Sequence, residues 1–200
     1  MTPIKVGITG GIGSGKSIIS TVFRKLGVPI YNSDDRGKYL TKTNKNIAEK
    51  IKEHFGDEYY DSEGSLLTQK LGSLVFNNEE KLKLLNSIVH PEVALDFKQW
   101  LEAQRNEYIL KESAIIFENG IEKSLDIVIS VICPLELRIK NILKRDPFRT
   151  EDNIRAIISR QMSDDEKIIR SDYVIHNDEK SSVLQQVLNI HHTLLQHRRL

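Results

Sequence analysis

The most constraining feature of this sequence is a glycine-rich segment near its start. Residues 10–17 read Gly-Gly-Ile-Gly-Ser-Gly-Lys-Ser and satisfy the pattern G-x-x-x-x-G-K-S/T in full. The mostly apolar run Ile4–Thr9 before it is typical of a buried strand. The apolar residues after it recur at helical spacing, at Ile19, Val22, Phe23 and Leu26. A strand, this loop and a helix in succession predict a site that binds phosphate groups.

Each residue type in this loop has a chemical reason. Glycines permit backbone angles that side chains forbid, which lets the amides close around phosphate oxygens. Lys16 is expected to reach the β- and γ-phosphates of ATP, and the Ser17 hydroxyl is expected to ligate Mg²⁺. The residues predicted to bind ATP in this segment are Gly11, Ile12, Gly13, Ser14, Gly15, Lys16, Ser17 and Ile18. The motif leaves the reaction open, because ATPases, GTPases and kinases all carry it.

Composition and charge exclude several classes of protein. The 200 residues, of which 39% are hydrophobic, fit one domain with a sizeable core. A net charge of +1, from 29 basic and 28 acidic residues, gives no general attraction to nucleic acid or to an anionic membrane. The sequence shows no secretory signal and no stretch that resembles a membrane span, and the single Cys133 permits no intramolecular disulfide. We therefore expect a cytoplasmic protein without an evident obligate protein partner.

Strand and helix patterns alternate along the chain. Predicted strands lie at residues 4–9, 28–31, 108–113, 126–133 and 172–175. The fourth is nearly all β-branched, and such continuous apolar runs suit a parallel sheet that is covered on both faces. Residues 34–106 follow a charged helical pattern that His90-Pro91 interrupts, which predicts a lobe of several helices. The alternation indicates an α/β fold.

A short acidic segment follows the second predicted strand. It reads Asn32-Ser33-Asp34-Asp35 and lies at the carboxyl end of that strand, where ligands bind in open α/β folds. A carboxylate there can accept the proton of an attacking hydroxyl group. Ser33 or Asp34 would serve equally well as the cap of the next helix. The segment alone favours neither interpretation.

A switch GTPase is the first alternative for a chain with this loop. Such proteins usually carry N-K-x-D for guanine, which is absent from this sequence. Residues 61–64 match the pattern D-x-x-G, but residues 57–60 before them do not form an apolar strand pattern. We interpret the match as a surface turn.

Taken together, these motifs resemble the dephospho-coenzyme A kinase family over essentially the whole chain. Residues 7–17 are similar to the family's opening, which is more specific than the general loop pattern. Asn32-Ser33-Asp34 falls where the family has D-A-D, His90-Pro91 matches its H-P pair, and residues 114–118 fall at its P-L-L-F/Y-E. The later R-D, Q and A-D-x-V-I-x-N elements are matched by Arg145-Asp146, Gln161 and residues 172–177.

The resemblance implies a fold, an organisation and a reaction. The fold is that of a P-loop kinase, with a five-stranded parallel sheet flanked by helices. The implied core covers roughly residues 1–33, 107–137 and 171–200, with a helical acceptor-binding lobe at 34–106 and a lid at 138–170. The implied reaction is ATP-dependent phosphorylation of the ribose 3′-hydroxyl group of dephospho-CoA, which gives coenzyme A and ADP.

The resemblance also implies roles for single residues. Asp34 would be the catalytic base, His90 would lie near the acceptor, and Asn177 would read the adenine edge of ATP. Glu112 falls where many family members carry an aspartate, so it would face the cleft, contact the acceptor and hold a Mg²⁺-bound water. Two alternatives to these roles stay open. Lys111 and Glu112 would then lie at an exposed strand end, and Asn177 would be an ordinary turn residue.

A catalytic arginine is expected in the predicted lid. Nine basic residues lie between Arg138 and Arg170, and most are expected to line a solvated helix face. An arginine that folds over the site can stabilise negative charge on the transferring phosphoryl group. Arg145 is the candidate, because it precedes Asp146-Pro147, where the helix must end.

Four positions depart from the family pattern, namely Ile18, Asn32, Ala114 and Ser171. Asn32 leaves Asp34 as the one carboxylate of the D-A-D motif, and Ile18 removes one hydroxyl contact to the α-phosphate. None of the four changes Lys16, Ser17 or Asp34. Two alternatives remain: a P-loop kinase of another small metabolite or nucleoside monophosphate, and a non-catalytic nucleotide-binding switch.

Overall fold

Five short strands form one parallel sheet in the computed structural model, which describes residues 2–76 and 78–196. The strands are Ile4–Thr9 (β1), Ile30–Asn32 (β2), Tyr108–Glu112 (β3), Ile127–Ile132 (β4) and Tyr173–His176 (β5). They lie in the order β2-β3-β1-β4-β5, and every pairing is parallel. The predicted α/β fold with a five-stranded parallel sheet is therefore confirmed.

The centre of the sheet is its most buried part. β1 lies between β3 and β4, and its side chains Val6 and Ile8 are completely buried. They share one apolar cluster with Phe23 of α1 (Lys16–Lys25) and Leu194 of α9 (Val183–Gln196). Because β1 is fixed by neighbours on both edges and by these helices, the loop at its carboxyl end starts from a rigid support.

The described residues divide into two compact units. One comprises the described residues up to Asn32 and from Gln104 onward, and it contains the sheet. It also contains the three helices that cover the segment predicted as a lid, namely α6 (Leu135–Arg145), α7 (Glu151–Ile158) and α8 (Asp164–Arg170). Ile139 and Ile142 of α6 pack with Ile154 of α7, so these two helices share a small apolar cluster of their own.

The second unit comprises the described residues of Ser33–Ala103 and is helical. Its helices are α2 (Ser33–Thr43), α3 (Lys45–Phe55), α4 (Thr68–Phe76) and α5 (Glu79–Glu102). α5 packs against each of the other three. Across the part of the chain that the structure describes, no helix combines the length and the apolar character that crossing a membrane requires.

Helix α5 runs without a break through His90-Pro91, so the predicted interruption is wrong. A proline inside a helix removes one backbone hydrogen bond and costs about 3 kcal/mol. Ile88 and Phe97, which lie on either side of the proline, are only 4% and 7% exposed. The packing of α5 on both sides of Pro91 therefore outweighs the local cost.

We expect Pro91→Ala to raise the free energy of unfolding by about 1–3 kcal/mol, because it restores a helical N–H group. Pro91 is exposed, so its ring contributes no core packing that the substitution would remove. Urea denaturation measures the effect. The matched control is Lys98→Ala, at another exposed position of α5, and we expect it to change stability by less than about 0.5 kcal/mol. A Pro91→Ala variant no more stable than this control would contradict the prediction.

Candidate active site

The loop between β1 and α1 follows a path that requires glycine. Gly13 and Gly15 have φ angles of 79° and 93°, in the left-handed region that side chains disfavour. A Cβ atom on Gly13 would lie 2.6 Å from the carbonyl oxygen of Arg138, and one on Gly15 would lie 2.5 Å from Nδ2 of Asn177. α1 begins directly after Gly15. The loop therefore leads into a first helical turn whose N–H groups lack acceptors within the helix and can bind an anion.

Lys16 folds back over the loop. Its ammonium group donates to the carbonyl oxygens of Gly10 and Gly11, at 2.7 and 3.4 Å, and the residue is 9% exposed. The hydroxyl groups of Thr9 and Ser14 are buried and lack a hydrogen-bond partner within the described part of the chain. A buried hydroxyl without a partner costs free energy, which a bound anion could relieve by accepting from it. These donors fit the phosphate groups of a nucleotide.

Ser17 and Glu112 meet at the ends of α1 and β3. The Ser17 hydroxyl donates to Oε1 of Glu112 at 2.8 Å. Glu112 pairs in register with Ile8 of β1 and is 4% exposed, so the alternative that placed it at an exposed strand end is wrong. A hydroxyl and a carboxylate are hard oxygen ligands of the kind that Mg²⁺ prefers. The pair therefore fits a magnesium ion bound together with nucleotide phosphates.

Lys111, which precedes Glu112, is buried as well, at 6% exposed. Burial lowers the pKa of its ammonium group to about 8. Successive residues of a strand point to opposite faces of the sheet, so Lys111 and Glu112 serve different faces of β3. The two charges that interrupt this strand in the sequence are thus both interior.

Arg138 is the buried arginine of this site, and our sequence analysis did not single it out. It is 5% exposed, and its Nε donates to the carbonyl oxygen of Ile12 at 3.0 Å. Gln161 accepts from the N–H group of Ile12 at 2.9 Å and from Nη2 of Arg138 at 3.3 Å. Asp164 accepts from Nη1 of the same guanidinium at 3.5 Å. Both backbone hydrogen-bonding groups of Ile12 are therefore held by side chains of the predicted lid segment.

A signal for Arg138 was present in the sequence. Arg138 lies next to Ile139 and one helical turn before Ile142, and all three residues are on the buried side of α6. A cation that falls within the apolar face of an amphipathic helix needs a partner in the interior. Its position on this face therefore indicated that Arg138 is buried and paired, although it did not identify the partner.

Arg145, the predicted catalytic arginine, lies in a different environment. Its side chain is 63% exposed and donates to both carboxylate oxygens of Asp146, at 3.1 and 3.0 Å. These hydrogen bonds lower the pKa of the Asp146 carboxyl group. No contact between described residues joins Arg145 to the loop, so its catalytic role requires movement of this segment and stays a prediction.

Asn177 follows β5 and contacts the loop directly. Its side-chain amide donates to the carbonyl oxygen of Ser14 at 2.9 Å, and its backbone N–H group donates to Ile132 at 2.8 Å. The residue thus fixes the loop from the side of β5. Its predicted role in reading adenine stays a prediction.

Asp34 and His90 belong to the helical unit. α2 begins at Ser33, so Asp34 lies inside the first turn rather than at the capping position, and the helix dipole favours its negative charge there. Burial lowers the pKa of His90, although the nearby charge of Asp34 partly opposes this effect. His90 is therefore neutral near neutral pH and can either donate or accept a hydrogen bond.

The fold and the loop together define a class of protein. A five-stranded parallel sheet leads from its central strand, through a glycine loop that carries Lys16 and Ser17, into a helix. This is the architecture of a P-loop kinase. Within this class, the family model described as dephospho-CoA kinase matches residues 4–182. The chain belongs to the dephospho-CoA kinase family, which confirms the predicted resemblance.

Individual relatives agree with this assignment. A dephospho-CoA kinase from Bacteroides fragilis is 37% identical over 188 residues, which cover 94% of this chain and 91% of that protein. The crystal structure of TT1252 from Thermus thermophilus has a TM-score of 0.85 and 31% identity, and the match covers 96% of this chain and 98% of that one. A dephospho-CoA kinase from Campylobacter jejuni, with a TM-score of 0.63 and 22% identity over 95% of this chain and 96% of that one, shares the fold.

We expect Arg138→Met to weaken ATP binding about tenfold or more, because it removes a charged hydrogen bond from the loop and leaves the carbonyl of Ile12 without its partner. Isothermal titration with ATP measures the affinity. The matched control is Arg155→Met on α7, whose guanidinium is exposed and pairs with Glu151. We expect it to bind ATP normally, because an exposed ion pair contributes little. Equal affinities for both variants would contradict a role of Arg138 in shaping the loop.

Proposed function

We propose that this chain transfers the γ-phosphoryl group of ATP to the ribose 3′-hydroxyl group of dephospho-CoA, giving coenzyme A and ADP. The observation that carries the proposal is the match of residues 4–182 to the dephospho-CoA kinase family, with Lys16 and Ser17 both present inside the matched region. The relative from Bacteroides fragilis, which is named dephospho-CoA kinase, is matched over 91% of its length. The proposal therefore concerns the whole reaction rather than nucleotide binding alone.

In the proposed mechanism the loop holds the triphosphate. Backbone N–H groups of residues 11–18 surround the phosphates, and the Lys16 ammonium exchanges its loop carbonyl acceptors for β- and γ-phosphate oxygens. Arg138 and Gln161 keep the loop in the shape that presents these donors, because they already hold Ile12 from both sides. Such preorganisation lowers the cost of ordering the loop when ATP binds.

Ser17 and Glu112 would hold the magnesium ion. The Ser17 hydroxyl would be a ligand, and the Glu112 carboxylate, which lies 2.8 Å from it, would orient the ion's ligands, including a bound water. When bound, Mg²⁺ neutralises negative charge on the phosphate oxygens. Glu112 also orients the Ser17 hydroxyl in the absence of the ion, so the site is prepared before nucleotide and metal arrive.

Asp34 is the proposed base. Its carboxylate takes the proton of the 3′-hydroxyl group as that oxygen forms its bond to the γ-phosphorus. The bond from the γ-phosphorus to the bridging oxygen breaks at the same time, and ADP leaves with the electron pair. A neutral His90 beside Asp34 can hydrogen-bond to the acceptor without competing for the proton.

The lid segment completes the proposed site. Closure would bring Arg145 from its exposed pairing with Asp146 to the transferring phosphoryl group and would exclude water, which limits hydrolysis of ATP.

We place the reaction in the cytoplasm, where ATP is available. The free and buried Cys133 agrees with a reducing compartment.

The test measures the release of ADP in a coupled assay, in the presence of different acceptors. We expect stimulation by dephospho-CoA, with phosphate appearing on its 3′-oxygen by NMR, and no stimulation by a nucleoside monophosphate, by shikimate or without an acceptor. Stimulation by another acceptor alone would favour a different metabolite kinase. Binding of GTP at least as tightly as ATP, without transfer, would favour a nucleotide switch.

We predict that Asp34→Asn lowers the turnover number about a hundredfold or more, the scale of a lost general base. Asp35→Asn is the matched control, because Asp35 is the neighbouring carboxylate in the same helical turn. Its variant should keep most of the activity. Both variants should bind ATP as the unmodified protein does, which titration checks. Equal turnover in the two variants would remove Asp34 from the mechanism.

A further inference from the structure

Helix α8 contains a completely buried lysine, Lys167, which the proposed mechanism does not use. An ammonium group taken out of water is costly unless carboxylates or hydrogen-bond acceptors surround it. The groups around Lys167 therefore account for its burial. They also form a path of contacts that leads to the glycine loop.

The ammonium group of Lys167 and the carboxylate of Glu118 hold the backbone of Met162. Side chains of a helix lean toward its N-terminus, so Lys167 reaches back beyond the start of α8 and donates to the carbonyl oxygen of Met162. Oε1 of Glu118, in the turn after β3, accepts from the N–H group of Met162 at 3.0 Å. The same oxygen lies 3.9 Å from the Lys167 ammonium nitrogen. Both backbone hydrogen-bonding groups of Met162 are therefore engaged by a pair of opposite charge.

The side chain of Met162 is fixed as well. It packs against an apolar cluster of three buried residues, Ile116, Phe117 and Val128. The first two belong to the same turn that carries Glu118. Met162 thus has apolar contacts and a polar anchor on one turn, which leaves its backbone little freedom.

Helix α8 is itself attached to the sheet. The Ser171 hydroxyl lies 2.6 Å from the Ser130 hydroxyl of β4 and 2.6 Å from the carbonyl oxygen of Lys167. At the other end of the helix, Ser163 and Glu166 form a capping box. Lys167 therefore projects from a helix whose start is capped and whose end is fixed to β4.

The backbone of Met162 in turn sets the position of Gln161. The two residues are joined by one peptide unit, which is planar and rigid. The side chain of Gln161 accepts from the N–H group of Ile12 at 2.9 Å and from Nη2 of Arg138 at 3.3 Å. A shift of Met162 would therefore move the acceptor that holds the glycine loop.

The charges around Lys167 agree with an action through this path rather than through its electric field. Burial lowers the pKa of its ammonium group, and the carboxylates of Glu118 and Asp164 act in the opposite direction. A cation whose charge is balanced by nearby carboxylates adds little to the potential at a bound phosphate. The hydrogen bond to Met162 is thus the contribution that reaches the loop.

We propose that Lys167 and Glu118 are positioning residues for nucleotide binding, which act through Met162 and Gln161 on the shape of the glycine loop. Neither residue touches the nucleotide or the acceptor in this proposal. With Ile12 held, the loop keeps the shape that binds phosphate, and ATP binding does not have to order it. The inference rests on the proposed function for the identity of the nucleotide.

Lys167→Met tests the proposal, because methionine fills a similar volume without the ammonium group. We expect the Kd for ATP, measured by isothermal titration, to rise about fivefold to tenfold, the scale of one hydrogen bond. The KM for ATP should rise in parallel, whereas the KM for dephospho-CoA and the turnover number at saturating ATP should not change. The matched control is Lys123→Met, the same substitution at an exposed position of the same compact unit, which should bind ATP normally. Unchanged ATP affinity in Lys167→Met would overturn the proposal.

Glu118→Ala separates positioning from a long-range effect of charge. Removal of a negative charge near the phosphates would strengthen ATP binding through the field alone. Loss of the acceptor for the N–H group of Met162 should instead weaken ATP binding about fivefold. Glu118→Gln keeps an acceptor oxygen and should recover part of the affinity. The Glu118 side chain is 20% exposed, so both variants are expected to fold even where Lys167→Met does not. Tighter binding of ATP by Glu118→Ala would contradict the positioning role.

A double-mutant cycle determines whether the effect passes through Gln161. In a Gln161→Ala background, Lys167→Met should weaken ATP binding by no more than about twofold further, because the contact that it positions is already lost. Effects that multiply in the double variant would mean that Lys167 acts by another route, and the proposal would fail. These titrations need no acceptor. If the unmodified protein binds ATP but does not phosphorylate dephospho-CoA, the proposed function fails, and the cycle still decides the role of Lys167.

Discussion

The structure of the site depends on how closely the backbone of the glycine loop between β1 and α1 approaches α6 and the end of β5. At Gly13 and Gly15 the chain lies so near the carbonyl of Arg138 and the amide of Asn177 that a Cβ atom would collide with them. These approaches join the end of β1 to α6 and to the end of β5. The loop is therefore packed against two neighbouring elements rather than being a free connection, and its donors are in place before a nucleotide binds.

The cations around this loop have separate physical tasks. Lys16 is held by carbonyl oxygens of its own loop, which are weak acceptors that phosphate oxygens can replace. Arg138 is held by Ile12, Gln161 and Asp164, so releasing it would break several hydrogen bonds and leave its own buried charge without partners. The Lys16 ammonium is thus suited to move onto the phosphates of a nucleotide. The Arg138 guanidinium is suited to keep the loop in its shape.

The parts of the structure that the sequence revealed are those in which the information is local. The loop is specified by consecutive glycines between a strand and a helix, and the five strands by short apolar runs, so both were predicted correctly. The continuity of α5 through Pro91 and the burial of Arg138 depend on residues distant in sequence. No local pattern states that packing on both sides of a proline exceeds its cost, or that the partner of Arg138 is a carbonyl 126 residues away.

The phosphate loop accounts for nucleotide binding but not for the choice of acceptor. A base and a phosphate loop suffice for phosphoryl transfer to any hydroxyl group that can reach them, so they provide little selectivity. Selectivity requires contacts remote from the reacting oxygen, whose binding energy also positions that oxygen. In the proposed mechanism these contacts would come from the helical unit, which carries Asp34 in the first turn of α2 and His90 in α5.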